Sequence, residues 1–100
     1  MEINYYFHPT AEAELFDYID YYEQQAQGLG SKVIVELELT LRQIETFPFS
    51  YQQNHALGVH LAPLHHFPLS VIYRIKNNSV QILAIAHQQR QPNYWGNRTL

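Results

Sequence analysis

The chain opens with alternating apolar and polar positions over residues 2–7. Ile3, Tyr5 and Phe7 would lie on one side of a strand, with mostly polar neighbours on the other side. Pro9 follows at once, and proline suits the first position of a helix because its missing N–H is not needed there. The pattern therefore predicts a strand that ends at His8 and a helix that begins near Pro9.

Two helices are predicted after this strand. Apolar positions recur every three or four residues to about Gln25, and again until just before Pro48. Gly28 and Gly30 separate the two repeats, and Ser31 has a side chain suited to the N-cap of the second helix. A helical hairpin is therefore expected, with these apolar positions: Ala11, Leu15, Ile19 and Tyr22 in the first helix, and Val33, Leu37, Leu41 and Ile44 in the second.

The strand pattern returns in the second half of the chain. Residues 47–57 have no consistent period, which predicts a loop. Val59 and Leu61 then start a short apolar run that extends towards Leu64, and a longer alternating segment follows over residues 70–76. The short run predicts a strand, and the alternation predicts a second one.

A tight turn and a last strand complete the pattern. Asn77 and Asn78 predict a hairpin turn, because asparagine tolerates positive φ. Residues 80–87 alternate with Val80, Ile82, Ala84 and Ala86 on one face, and the other face is also apolar, so this strand should be central. The order β-α-α-β-β-β predicts an α+β fold in which the helical hairpin packs on one face of a small, mainly antiparallel sheet.

Composition and charge narrow the function classes. One hundred residues, 46% of them hydrophobic, predict a single domain spanning residues 1–100. The absence of cysteine excludes disulfides, thiol nucleophiles and thiolate metal sites. The longest apolar run, residues 82–86, is too short to span a membrane, and the acidic Glu2 is unlike the start of a signal peptide, so a cytoplasmic protein is expected. A net charge of −3 argues against a surface built to grip nucleic-acid phosphates, although six histidines make the charge sensitive to pH.

Five segments along nearly the whole chain carry a family resemblance. They are PTAE (residues 9–12), IETFP (44–48), FPLSVIYRI (67–75), ILAIAHQQR (82–90) and PNYW (92–95). Together they resemble the RelE/ParE superfamily of toxins from type II toxin–antitoxin modules, on the ParE-like side. The resemblance implies a toxin, a cognate antitoxin as partner in a possible hetero-oligomer, and either DNA gyrase or ribosome-bound messenger RNA as target.

This chain departs from its relatives mainly at basic positions. Relatives usually carry arginine where His60 stands and basic residues where His65 and His66 stand, and arginine is common at Gln89. The chain is also mildly acidic, which suits a protein target better than ribosomal RNA. A ParE-like inhibitor of gyrase is therefore favoured over a ribosome-dependent mRNA endonuclease, and an inactive relative that only binds an antitoxin remains a third alternative.

Three residues would carry the chemistry if the protein cleaved RNA. His87 could act as general acid or base, and Arg74 or Arg90 could stabilise charge on the phosphate. The alternative interpretation is that these side chains merely decorate the exposed sheet face. That face, with Arg74, His87 and possibly His60, is the expected working surface.

The remaining candidates are aromatic residues and histidines that could contact a partner protein, since tyrosine, tryptophan and arginine are enriched at interfaces. A metal site at His60, His65 and His66 is disfavoured because no carboxylate or cysteine completes a ligand set. No metal or other cofactor is expected. Tyr94 and Trp95 could alternatively fold back onto the core edge. The predicted partner-binding set is Tyr18, Tyr21, His60, Arg90, Tyr94 and Trp95.

Overall fold

A helical hairpin packs on one face of a five-stranded sheet. The computed structural model describes residues 4–54, 57–90 and 94–98. The elements are β1 (Asn4–Phe7), α1 (Pro9–Gln25), α2 (Leu29–Thr46), β2 (Gln52–Asn54), β3 (Val59–Pro63), β4 (Leu69–Lys76) and β5 (Ser79–His87). The strand order is β1-β5-β4-β3-β2, with β1 parallel to β5 and every other pair antiparallel. The predicted α+β fold class is confirmed, and so is the predicted central position of β5 between two neighbours.

The junction of β1 and α1 follows the local sequence. Along β1 the burial alternates, with Tyr5 and Phe7 packed against the core; Ile3, predicted on the same side, lies outside the described residues. His8 is the N-cap of α1, and its Nδ1 accepts a hydrogen bond of 3.1 Å from the backbone N–H of Thr10. Pro9 occupies the first helical position, as predicted.

The start of α2 differs from the prediction. Gly28, with a left-handed φ of 90°, is the N-cap residue, so Ser31 lies inside the helix and does not cap it. The carboxylate of Glu23, at the end of α1, accepts hydrogen bonds from the backbone N–H groups of Gly28 (3.1 Å) and Gly30 (3.0 Å). The capping group therefore comes from the preceding helix, where it satisfies donors that a helix N-terminus leaves free.

A short strand lies within the segment predicted as a loop. Residues 52–54 form β2, which pairs antiparallel with β3 through Gln52–Leu61, Gln53–His60 and Asn54–Val59. All three residues of β2 are polar and exposed, so the sequence shows no alternation of apolar and polar residues that would indicate a strand. The loop prediction is therefore wrong at these positions.

The turn between β4 and β5 follows the sequence, but β5 itself is irregular. Asn77 and Asn78 have φ values of 52° and 61°, as the turn prediction requires. Further along, Tyr73 pairs with Ile82 whereas Ile72 pairs with Ala84, so the intervening Leu83 has no partner on β4. Such a bulge reverses which face later residues point to. The predicted single face is thus wrong beyond the bulge, where Ala84 and Ala86 lie in a cluster separate from Val80 and Ile82.

The bulge helps to divide the apolar residues into two clusters. The larger cluster lies between the helices and the sheet and includes Ala11, Val33, Leu37, Ile44, Val71, Tyr73, Val80, Ile82 and Ile85. The smaller cluster lies on the opposite face of the sheet, called here the open face, and consists of Val59, Ile72, Leu83, Ala84, Ala86 and Trp95. Within the described residues, no helix is both long and apolar enough to cross a membrane.

Candidate functional site

A groove of about 360 Å³ runs along the open face of the sheet. Alternation places the side chains of Gln52, Leu61 and Ile72 in one row across β2, β3 and β4, because these residues are direct register partners. The wall beyond β5 comes from the segment that follows it. The lining consists of Gln52, Asn54, Val59, His60, Leu61, Ser70, Ile72, Ala86, His87, Gln88, Arg90, Tyr94 and Trp95.

The C-terminal aromatic pair folds back onto this face. Trp95 is 7% exposed and packs in the smaller cluster, and Tyr94 packs against the same cluster. The guanidinium of Arg90 lies 4.0 Å from the centre of the Tyr94 ring, within range of a cation–π interaction. Trp95 is therefore largely buried and forms part of the groove wall, as the alternative of folding back onto the core edge requires. Arg90 supplies the exposed guanidinium of the groove.

A polar cluster fixes the segment that carries Tyr94. Arg98 donates to both carboxylate oxygens of Glu14 on α1, at 2.7 Å and 3.1 Å, and also to the carbonyl oxygen of Leu83 at 3.0 Å. The hydroxyl of Tyr94 donates to Glu14 at 2.8 Å, and Glu14 accepts the backbone N–H of Ile85 at 3.2 Å. Beyond Ile82, where β1 has ended, side chains thus form hydrogen bonds with the backbone carbonyl of Leu83 and the backbone N–H of Ile85 on the outer edge of β5.

Tyr94 and Arg98 each keep one protonation state in this cluster. Burial, followed by the hydrogen bond to Glu14, raises the pKa of the Tyr94 phenol above its ordinary value. The same carboxylate raises the pKa of the Arg98 guanidinium. Tyr94 is therefore neutral and Arg98 charged at physiological pH.

Sequence reasoning missed Glu14 and Arg98 as contributors to this site. The two residues are separated by 84 positions in the chain. In the sequence, Glu14 is indistinguishable from any acidic residue placed near a helix N-terminus to interact with the helix dipole. The available signal was Arg98 itself, because an arginine close to an aromatic pair can form two hydrogen bonds to one carboxylate. The sequence does not show which carboxylate that is.

The predicted RNA-cleaving set is only partly brought together. His87 and Arg90 both line the groove, and the Nδ1 of His87 accepts the backbone N–H of Gln89 at 3.1 Å. Arg74 is also on the open face, but it lies far from His87. The residue of β4 that pairs with His87 is Leu69, and Arg74 is five residues further along the strand, or about 17 Å at the usual strand rise. Its Nε donates to Gln81 at 2.6 Å, and it does not line the groove.

His60 contributes to the lining of the groove, but its ring is buried and is not exposed on the open face as expected. It pairs with Tyr73, and the two rings stack with centroids 5.1 Å apart on the helix side of the sheet. The residue is 3% exposed, and its Nδ1 lies 3.2 Å from the carbonyl oxygen of Tyr51. Strand parity puts the side chains of Val59 and Leu61 on the open face and turns the ring of His60 towards the helices, so the expected exposure of His60 is wrong although the residue borders the groove.

The other predicted contact residues lie on the helical side. Tyr21 is 56% exposed on α1, whereas Tyr18 is partly buried against the larger core cluster. His66 is exposed in the connection between β3 and β4, where its Nδ1 and backbone N–H both contact the carboxylate of Glu36 on α2. Burial of Glu36 opposes ionisation, but the hydrogen bonds from His66 lower the pKa of this carboxyl below its ordinary value. Over the described ranges, no group of three potential metal ligands is gathered.

The comparisons with known proteins agree with the fold. Residues 5–92 match the profile of the family described as the ParE toxin of the type II toxin–antitoxin system, parDE. A solved structure from P. aeruginosa, described as the chromosomal ParDE TA system, superposes with a TM-score of 0.75 at 19% identity, covering 86% of this chain and 96% of that chain. This structural likeness shows the shared fold. No curated protein sequence matches the chain.

Proposed function

This chain belongs to the ParE toxin family of type II toxin–antitoxin systems, and we propose that it arrests bacterial growth by binding DNA gyrase. In the same proposal, a cognate antitoxin protein binds the chain and keeps it inactive. Binding rather than hydrolysis is the mode of action. The two partners act in opposition: the target is poisoned by the free chain, and the antitoxin reduces the amount of free chain.

The small number of cations in the groove is the observation that carries this proposal. RNA cleavage by side chains needs an acid or base and a phosphate-stabilising cation around one phosphate. Here His87 shares the groove with a single guanidinium, that of Arg90, while Arg74 lies apart and is hydrogen-bonded to Gln81. The net charge of −3 also gives the whole molecule little attraction for ribosomal RNA. A protein target requires neither feature.

A supercoiling assay with purified gyrase tests this proposal. The purified chain should inhibit the conversion of relaxed plasmid to supercoiled plasmid, and Arg90→Gln should weaken that inhibition because Arg90 is the exposed cation of the groove. Arg42→Gln makes the same charge change at an exposed position of α2 and should leave inhibition unchanged. Full gyrase activity at saturating concentrations of folded chain would contradict the proposal.

An RNA-cleaving function has one observation in its favour, which is that His87 and Arg90 line the same groove. If the chain cut messenger RNA on the ribosome, His87→Ala would abolish toxicity while the protein stayed folded. His65→Ala, at an exposed position outside the groove, is the matched control. Primer extension on total RNA from induced cells would then show new 5′ ends with the wild-type chain and with His65→Ala only.

A further inference from the structure

Helix α2 is apolar on two sides. Its inward side packs in the larger core cluster through residues such as Val33, Leu37 and Ile44. Its outward side also carries large apolar side chains, because Val35 is 54% exposed and Leu39 is 50% exposed. A helix on the surface of a monomer normally has one apolar stripe and an opposite polar face. The outward side of α2 therefore has the composition of a surface that is covered in an assembly.

The exposed apolar surface continues past the end of α2. Phe47, which follows the last helical residue, is 63% exposed. A depression of about 670 Å³ lies beside Val35 and Leu39, between α2 and the connection from β3 to β4, and Tyr22 and Phe67 contribute to its apolar lining. Helix α2 thus has an apolar depression beside its first half and an exposed aromatic ring at its end. Exposed apolar patches of this kind mark interaction sites.

The charged groups on the outward side of α2 have both signs. Glu38 and Arg42 are exposed and lie one helical turn apart, next to Leu39. A two-fold axis perpendicular to α2, beside residue 40, would place the α2 helix of a second copy antiparallel and bring Glu38 of one copy to Arg42 of the other. Because the symmetry repeats every contact, two such ion pairs form together. The outward side of α2 is therefore complementary to itself in charge.

The exposed side of α1 lacks this complementarity. Helix α1 contains five carboxylates and neither lysine nor arginine. Phe16 is 57% exposed there, but a second copy would meet like charges at Asp17 and Asp20. Repulsion between like charges disfavours pairing through α1. Charge thus distinguishes α2 as the helix that can pair with its own copy.

We propose that two copies of this chain associate through an antiparallel contact between their α2 helices. The two Leu39 side chains meet near the two-fold axis. The same axis puts residue 47 of one copy opposite residue 33 of the other, so Phe47 packs into the depression beside Val35 of the second copy. The contact is small, which predicts a weak dimer that forms at about 10 μM and above.

This dimer leaves the groove on the open face accessible in both copies. The sheet lies between α2 and the open face, since the larger cluster packs on one side of the sheet and the smaller cluster on the other. The two grooves of a dimer therefore face away from each other. The proposal holds whatever protein the toxin acts on.

Analytical ultracentrifugation of the purified full chain over a range of concentrations tests the association. We expect the mass to rise from 11.8 kDa towards twice that value as the concentration increases. Leu39→Glu should abolish this rise, because it places two carboxylates near the two-fold axis. Phe16→Glu introduces the same charge at a comparably exposed position on α1 and should leave the rise unchanged.

Two results would overturn the proposal. One is a constant monomer mass up to about 500 μM, which would leave the outward side of α2 to a different protein. The other is an equal effect of Leu39→Glu and Phe16→Glu, which would show that the copies associate through another surface.

A charge-reversal experiment tests the antiparallel arrangement itself. In Glu38→Arg, positions 38 and 42 are both positive, and in Arg42→Glu both are negative. Each variant alone should therefore self-associate about tenfold more weakly than the wild type, or less. An equimolar mixture of the two variants should form a heterodimer, because every positive position then faces a negative one.

Circular dichroism checks that both charge-reversal variants are folded. A mixture of folded variants that stays monomeric where the wild type dimerises would refute the antiparallel contact. Self-association of either variant at the strength of the wild type would refute it as well. These measurements use no target, antitoxin or cells, so their outcome is independent of growth arrest.

Discussion

At the scale of single residues, Glu14 connects more elements of the fold than its position near a helix N-terminus suggests. It bridges α1 to the outer edge of β5 and to the C-terminal segment through Arg98 and Tyr94. Both ion-pair side chains are largely buried, at 13% exposure for Glu14 and 14% for Arg98. Removing one partner of such a pair leaves a buried charge without compensation.

Glu14→Gln should therefore lower the free energy of unfolding by about 3 kcal/mol, because Arg98 keeps its charge and loses its carboxylate. The matched control is Glu12→Gln, an exposed residue on the same helix, which should change stability by less than about 0.5 kcal/mol. Urea unfolding at neutral pH measures both. Similar small changes in the two variants would contradict a structural role for the Glu14 cluster.

The Glu36–His66 contact gives a prediction about pH. Because the folded-state pKa of Glu36 is lowered, its ionised form adds stability above the ordinary pKa of 4.5, and this stability is lost as the pH falls through the folded value. Glu36→Gln should cost about 1 kcal/mol at pH 7, and the difference from wild type should shrink below pH 4.5. Unfolding curves at several pH values test this, with the exposed Glu38→Gln as control. A difference that persists unchanged in acid would contradict the role of the ionised carboxylate.

At the scale of elements, the sequence predicts what local patterns encode and misses what depends on partners elsewhere in the fold. The alternation around Tyr5, the Pro9 helix start and the Asn77 turn are all local and all predicted correctly. The bulge at Leu83 cannot be predicted from the sequence, because β5 is apolar on both faces. Its residue types therefore do not change at the position where the side chains exchange faces of the sheet. The strand β2 is missed for a related reason: its three exposed polar residues show no alternation.

The same distinction applies to the candidate site. His87, Arg90, Tyr94 and Trp95 were found from their types and spacing, and all four line the groove. The placement of His60 could not be predicted, because its polar ring is accommodated in the core by stacking on Tyr73 and by a backbone carbonyl. Such compensation is visible only once the strands are paired.

The helical hairpin depends on close approach at Gly30. A Cβ at this position would lie 2.9 Å from the carbonyl oxygen of Ile19 and 3.1 Å from Glu23 Oε1. Gly30→Ala should therefore destabilise the fold by about 1–3 kcal/mol, although alanine is ordinarily favoured over glycine in a helix by about 1 kcal/mol. Thermal unfolding measures this change, and a stabilised variant would show that the helices can separate without cost.

The neighbouring Ser31→Ala is the matched control for this prediction. If Ser31 were the N-cap, its replacement would cost about 1 kcal/mol. Because Gly28 is the N-cap and Ser31 is exposed inside α2, we expect a change within about 0.5 kcal/mol. A loss as large as that of a true cap would contradict the assigned start of α2.

At the scale of the whole molecule, charge and shape divide the chain into two functional layers. Eight of the nine acidic residues lie in α1 and α2, while the open face of the sheet presents an apolar groove with one exposed arginine and no acidic group in its lining. This division is consistent with a toxin that works by contacts with proteins.

The central claim is that the chain is a toxin with a protein target in DNA metabolism. The most direct measurement is tightly controlled induction of the chain alone in bacteria, with incorporation of labelled thymidine and labelled methionine followed in the same culture. We expect growth to stop and thymidine incorporation to fall before methionine incorporation. An earlier fall in methionine incorporation would contradict the gyrase target and favour the ribosome, and continued growth with folded chain accumulating would contradict toxicity itself.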